Sequence, residues 1–150
     1  MSDVQQGWFW AMHRGEAPQP PVAHLLGQTI TRVDPVAGEL DADYVAAPAF
    51  ANPAGHVQGG MLGAMLDALT ASVVDATLRP GERVASLNLN IAFLRPAGLG
   101  ALQGKARLAR RGRNVANAEA QLLQGGKVVA TATAVCMLVA ASNAAPAAPP

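Results

Sequence analysis

The chain is 150 residues long, 51% apolar and only 14% charged, with a formal net charge of +1. That length suits one domain with a substantial core, and the near-neutral balance, without a basic stripe or run, excludes nucleic acid as the main partner. Its single cysteine, Cys136, excludes an intrachain disulfide and fits a reducing compartment. No apolar run reaches membrane-spanning length, and the N-terminus lacks a basic region followed by an apolar core. No membrane association is therefore expected, and the expectation is a soluble, cytoplasmic protein. So small a charged share also implies that other subunits cover much of the surface.

Residues 2–14 read as a short amphipathic helix capped by Ser2 or Asp3, with Trp8, Phe9 and Met12 as anchors. A Gly-, Pro-rich stretch to Pro21 breaks it, so residues 1–22 form an N-terminal helical segment and linker ahead of a domain over 23–140. Ala23–Val33 and Gly38–Ala46 alternate as strands do, around a turn at Asp34-Pro35. Glu39, Asp41 and Asp43 fall at every second position and give the second strand a solvated acidic face.

The stretch from Asn52 to Val74 organises the rest. A loop rich in Asn, Pro and Gly ends at Gly59-Gly60, and from Met61 the apolar residues Leu62, Met65, Leu66, Leu69 and Val73 recur at helical spacing. The helix runs to about Leu78, where Arg79-Pro80-Gly81 stops it. It carries Asp67 at mid-length with no basic residue three or four positions away, and a buried carboxylate without a partner demands compensation. At the helix start the N–H groups of Gly59 and Gly60 have no intrahelical acceptor and stand at the positive end of the dipole, which suits an oxyanion. Asp67 lies eight residues further on, about 12 Å along the axis. The two groups cannot act on one carbon within a single chain. If they cooperate, two antiparallel copies of the helix lie side by side and the site is shared across a homodimer.

A long strand follows, Arg83 to Leu94, with Ser86, Asn88 and Asn90 on one face and Leu87, Leu89, Ile91 and Phe93 on the other. The polar row is either a half-exposed face or one turned toward a polar site near the helix. Beyond a turn at Arg95–Gly100, strands over 101–110, 115–124 and 128–139 are linked by a basic turn at Arg110–Asn114 and a Gly125-Gly126 hairpin. Residues 141–150 form an Ala/Pro-rich tail expected to be disordered. Two strands, one long helix and a meander imply an α+β domain, an antiparallel sheet of about five or six strands wrapped around one central helix. Pairing its edges between chains would remove a liability.

Competing chemistries lack their residues. There is no GxSxG nucleophile elbow, Cys136 sits in an apolar strand, and His13, His24 and His56 are scattered without ligand spacing, so no metal site is expected.

The combination Asn52…Gly55-His56-Val57-Gln58-Gly59-Gly60…Leu66-Asp67, then Ser86-Leu-Asn88…Leu94-Arg95-Pro96-Ala…Gly100 and Gly112-Arg113, resembles the hot dog-fold acyl-CoA thioesterases, above all the phenylacetate-pathway (PaaI-like) branch. The resemblance spans residues 25–139. It implies the hot dog fold, hydrolysis of an acyl- or aryl-CoA thioester to free acid and CoA, no cofactor beyond the coenzyme A of the substrate, and a homodimer or a dimer of dimers. It further implies that the Gly59 amide, with Gly60 beside it, polarises the carbonyl, that Asp67 of the other chain acts as general base or nucleophile, that Asn52 holds the loop, and that Ser86 orients the water or Asp67. Thr70 matches a position that some branches use to place the acid or water. Gln58 stands where many members have His, and it can donate a hydrogen bond but not transfer a proton; His56 lies two residues earlier. Arg95, Arg111 and Arg113 are the turn residues that could meet coenzyme A phosphates, and Asn88 could line the polar site. The alternatives are a hot dog protein that binds an acyl thioester without turnover, or a hydratase or dehydratase of the same fold.

Overall fold

The computed structural model describes residues 5–140, so the predicted caps Ser2 and Asp3 and the tail 141–150 lie outside the described residues. The elements run α1 (Trp8–His13), α2 (Pro21–Leu25), β1 (Thr29–Asp34), β2 (Glu39–Ala46), a 3-10 turn (Pro48–Phe50), α3 (Gly59–Asp75), β3 (Glu82–Phe93), β4 (Gly100–Arg111), β5 (Val115–Gln124) and β6 (Lys127–Ala140). Six strands form one antiparallel sheet in the order β1-β2-β4-β5-β6-β3. The strand that follows α3 therefore crosses the domain to pair with β6 and becomes an edge.

The expected α+β arrangement is what forms, because α3 presents the predicted apolar row. Leu62, Met65, Leu66, Leu69 and Val73 are all buried, under a sheet interior rich in alanine: Ala42, Ala106, Ala116, Ala118, Ala130, Ala132 and Ala134. Small side chains let the sheet curl tightly around the helix. At Gly104 of β4 there is no room even for a methyl, since a Cβ would stand 2.7 Å from Leu69 Cδ1.

Several boundaries differ from expectation. Residues 21–25 form α2 rather than strand, because Pro21 occupies the first helical position, where its missing N–H costs nothing. Gly27 then turns the chain at φ +59°, and a Cβ there would lie 2.8 Å from Val45 Cβ. The strand consequently begins at Thr29. In α1 the inward residues are Phe9, Trp10 and Met12, whereas Trp8 is exposed; Trp10, not Trp8, is the anchor. All three join the same core as the strands, so packing is continuous across the predicted boundary at residue 22. The acidic face of β2 is partly neutralised, since Arg32 bonds both Glu39 and Asp41 at 2.8 and 2.9 Å. Helix α3 starts at Gly59, where the glycine pair places it, but ends at Asp75, earlier than the expected Leu78.

One difference matters for the site. The β3–β6 register slips between Ser86 and Asn88, so Ser86 pairs with Cys136 and Asn88 with Val135, leaving Leu87 as the extra residue of a bulge. Ser86 thereby shares the helix-facing side with buried Cys136, while Asn88 and Asn90 are exposed and bond each other at 2.7 Å. The three polar residues do not form one row.

Candidate active site

The loop before α3 is braced from within. Asn52 N–H donates to the His56 carbonyl at 2.7 Å, and Asn52 Oδ1 accepts the N–H groups of Ala54 and His56, each at 3.0 Å. Val57 N–H donates to the Ala97 carbonyl at 2.9 Å, which ties the loop to the Arg95–Gly100 turn. Gln58 is the N-cap and its side chain caps nothing. The N–H groups of Met61 and Leu62 reach the Gln58 carbonyl, but those of Gly59 and Gly60 find no acceptor among the described residues. Two unclaimed donors at a helix N-terminus are what an oxyanion needs.

Gly59, Gly63 and Asp67 follow one another at four-residue intervals, so they line one side of α3, and that side faces β3. A Cβ at Gly59 would lie 3.2 Å from Phe93 Cζ and one at Gly63 3.0 Å from Ile91 Cδ1, while Ser86 Oγ donates to Asp67 Oδ1 at 3.2 Å. The two glycines let β3 lie close against the helix, and the closeness brings Ser86 to the carboxylate. Asp67 is half-buried rather than fully buried, and the Ser86 hydroxyl supplies the compensation that its carboxylate demands. Beside Gly59 opens a cleft of about 360 Å³, where Asn52, His56 and Arg95 meet Leu62 and Phe93.

The structure thus gathers Asn52, His56, Gln58, Gly59, Gly60 and Arg95 at one end of α3, with Asp67 and Ser86 at its middle. It does not bring the others there. Thr70 is fully buried and its hydroxyl lies 3.1 Å from the carbonyls of Leu66 and Asp67, bonded back to its own helix rather than to the Asp67 carboxylate. Asn88 is turned away by the bulge. Arg111 pairs with Glu82 at 2.6 Å and bonds the Gly112 carbonyl, both side chains being half-buried. Arg113 follows in the exposed β4–β5 loop, two residues beyond Arg111 and its partner Glu82 at the start of β3, whereas Gly59 begins the 17-residue α3, which is about 24 Å long. Arg95 is pinned by a 2.7 Å bond from Nη1 to the Val128 carbonyl.

Two residues escaped the sequence reading. Phe93, whose ring lies on Gly59, can be found only from the pairing of β3 with α3. Asp75, the last residue of α3, has its carboxyl pushed up to about 7 by burial; an acid at a helix C-terminus, against the dipole, was the available signal. Burial also raises the Cys136 thiol, which keeps it protonated and inert. Among the described residues no group of His, Cys, Asp and Glu could hold a metal ion, and no helix is long and apolar enough to cross a membrane.

Comparison with known proteins agrees with this fold. The acyl-CoA thioesterase N-terminal domain family matches residues 47–137. A phenylacetic acid degradation-related protein from Ralstonia eutropha JMP134 is 60% identical, over 87% of this chain and 99% of that one, with a TM-score of 0.86. The PaaI protein of the Escherichia coli phenylacetic acid degradation operon shares the fold at 20% identity, TM-score 0.78, over 89% of this chain and 95% of that one. So does a thioesterase from Haemophilus influenzae at 17% identity, TM-score 0.76, over 90% and 92% of the two chains. No curated protein sequence matches significantly. The loop and the helix start lie within the residues that the family matches, and the chain belongs to the acyl-CoA thioesterase family, a thioester hydrolase of the PaaI-like kind with the hot dog fold.

Proposed function

We propose that the protein hydrolyses an acyl- or aryl-CoA thioester to the free acid and CoA, in a site that a second copy of the chain completes. The observation that carries the reading is the pair of unclaimed Gly59 and Gly60 amides above the cleft. Gly59 N–H donates to the thioester oxygen and strengthens its hold as negative charge develops there; one such donor is worth about 3 kcal/mol. The Asp67 carboxylate takes a proton from water, the water oxygen attacks the carbonyl carbon, and the C–S bond breaks. The proton passes to the leaving thiolate. Attack by the carboxylate itself, through an anhydride that water then opens, would use the same geometry. Ser86, donating to Oδ1, orients the carboxylate.

The 12 Å between the two groups on one helix supports a site whose halves come from different chains. Support for a second copy comes from β3, an edge strand whose Leu87 is 57% exposed, with Leu94 just beyond its end 55% exposed. Joining two β3 edges antiparallel sets the helices antiparallel, with Asp67 of one chain toward Gly59 of the other. The same operation carries the Arg113 loop of one chain toward Arg95 of the other, so these two could share the phosphates of coenzyme A, with Arg111 bracing the loop through Glu82. Gln58 and His56 offer hydrogen bonds to the thioester arm. Such dimers could pair again into a tetramer.

A binding module without turnover has no use for Ser86 aimed at a carboxylate, and among the described residues no hydrogen bond links His56 to an acid as a hydratase would require. Thiol release from a panel of acyl-CoAs tests the reading. Asp67→Asn should lower kcat about 10²- to 10⁴-fold with fold and oligomer unchanged; equal turnover would remove Asp67 from the reaction. Asp67→Ala and Gly59→Pro chains, each folded and inactive alone, should regain activity on mixing, and verified heterodimers without activity would refute the shared site.

A further inference from the structure

We propose that Phe93 is the residue that selects the acyl group. The inference rests on the thioesterase reading and names a contact with the substrate that none of the motif residues supplies. Phe93 ends β3, and the backbone beyond it is fixed, since the N–H groups of Leu94 and Arg95 both donate to the Val129 carbonyl at 2.9 and 3.2 Å. Its ring therefore has a defined root. From there it extends onto Gly59, with Cζ, Cε1 and Cε2 at 3.2, 3.4 and 3.7 Å from where a Cβ would be. Only a residue without a side chain admits the ring so close, and that residue is the one whose amide is unclaimed.

The ring is nevertheless 57% exposed, and it pairs with no other aromatic side chain. An aromatic surface of this size, rooted beside a free donor and left uncovered on its other side, is shaped to be covered by what the donor binds. Around it the cleft divides by polarity. Val57, Leu62, Pro96 and Ala97 extend the apolar wall, while Asn52, His56 and Arg95 make up the polar side. A thioester divides the same way: one substituent of its carbonyl carbon is the apolar alkyl or aryl group, the other the sulfur that leads into the amide-bearing arm of coenzyme A. With the carbonyl oxygen about 3 Å from the Gly59 nitrogen, the carbon that bears the acyl group comes within contact distance of the ring. Acyl size and shape are thus read at Phe93, whereas the coenzyme A arm is held elsewhere.

The test measures kcat/KM for acetyl-, hexanoyl- and benzoyl-CoA with the full chain and its Phe93→Ala and Phe93→Leu variants, together with inhibition by free CoA and oligomeric state by light scattering. The expected result is a change of about tenfold or more in the hexanoyl-to-acetyl or benzoyl-to-acetyl ratio, the scale on which an apolar pocket discriminates, with inhibition by free CoA unchanged. The graded Leu variant should fall between wild type and Ala. An active wild type whose variants keep the same ratios, or lose all three activities together as the oligomer dissociates, would make Phe93 an interface residue and overturn this proposal alone. A folded wild type that hydrolyses none of the three esters, nor any other acyl-CoA, would overturn the thioesterase reading and this inference with it.

Discussion

At its N-terminal end α3 leaves two amides without an acceptor, over an open cleft and under an exposed ring. At its C-terminal end the same helix is closed off. Trp10 Nε1–H donates to the Ala76 carbonyl at 3.3 Å, Thr77 Oγ donates to the Val74 carbonyl at 2.8 Å, and Glu82 accepts from both the Arg79 N–H and the Arg111 guanidinium. Phe9 and Trp10 meet edge to face at 5.4 Å and seal that end with α1. Every helix is born with unsatisfied groups at both termini. Here one set is consumed by the fold and the other is left open among the described residues, so the two ends should respond differently to substitution.

The largest effect expected on that contrast is at the closed end. Trp10→Ala should cost about 3–5 kcal/mol of stability, read by urea or thermal unfolding, while the fraction still folded keeps its kcat. A loss of turnover at unchanged stability would mean that the ends are not separable. Next, Gly59→Ala puts a methyl 3.2 Å from the Phe93 ring. Because the ring is exposed it can yield, so the melting temperature should hold while kcat/KM falls about tenfold, or about 1.4 kcal/mol of transition-state binding. A collapse of stability instead would make Gly59 a packing residue. The last effect concerns Asp75 and depends on pH. Burial pushes its carboxyl up to about 7 in the folded chain from an ordinary value of 3.8, so the folded state binds the proton more tightly. Stability contributed by this group is full below about pH 4 and is lost as pH rises through 7. Asp75→Asn should therefore raise the unfolding midpoint at pH 8 and leave it unchanged at pH 4; the same gain at both values would assign the effect to something other than charge.

Much of this was legible before the fold was known, for identifiable reasons. The period of Leu62, Met65, Leu66, Leu69 and Val73 dictates a buried face, and a glycine pair ahead of that period marks an open helix start. Asp67 stood out as the charge that the pattern did not need. The remainder depends on partners distant in sequence. Alternation over residues 23–33 competed with the helix-starting geometry of Pro20-Pro21, and the prolines prevailed. The bulge at Leu87 exists only relative to β6, about fifty residues later, and a shift of one residue exchanges the two faces of a strand. That is why Ser86 reaches the helix and Asn88 does not. Arg111 read as a free turn cation because Glu82, its counterion, lies in another strand.

Both tryptophans of the chain belong to α1, one packed against the end of α3 and the other in water. Indole emission will therefore report detachment of that short helix, as a red shift of the Trp10 component over a constant Trp8 background. The substrate cleft at the far end holds no indole, so ligand titrations will need an extrinsic dye or the ultraviolet absorbance of the thioester bond.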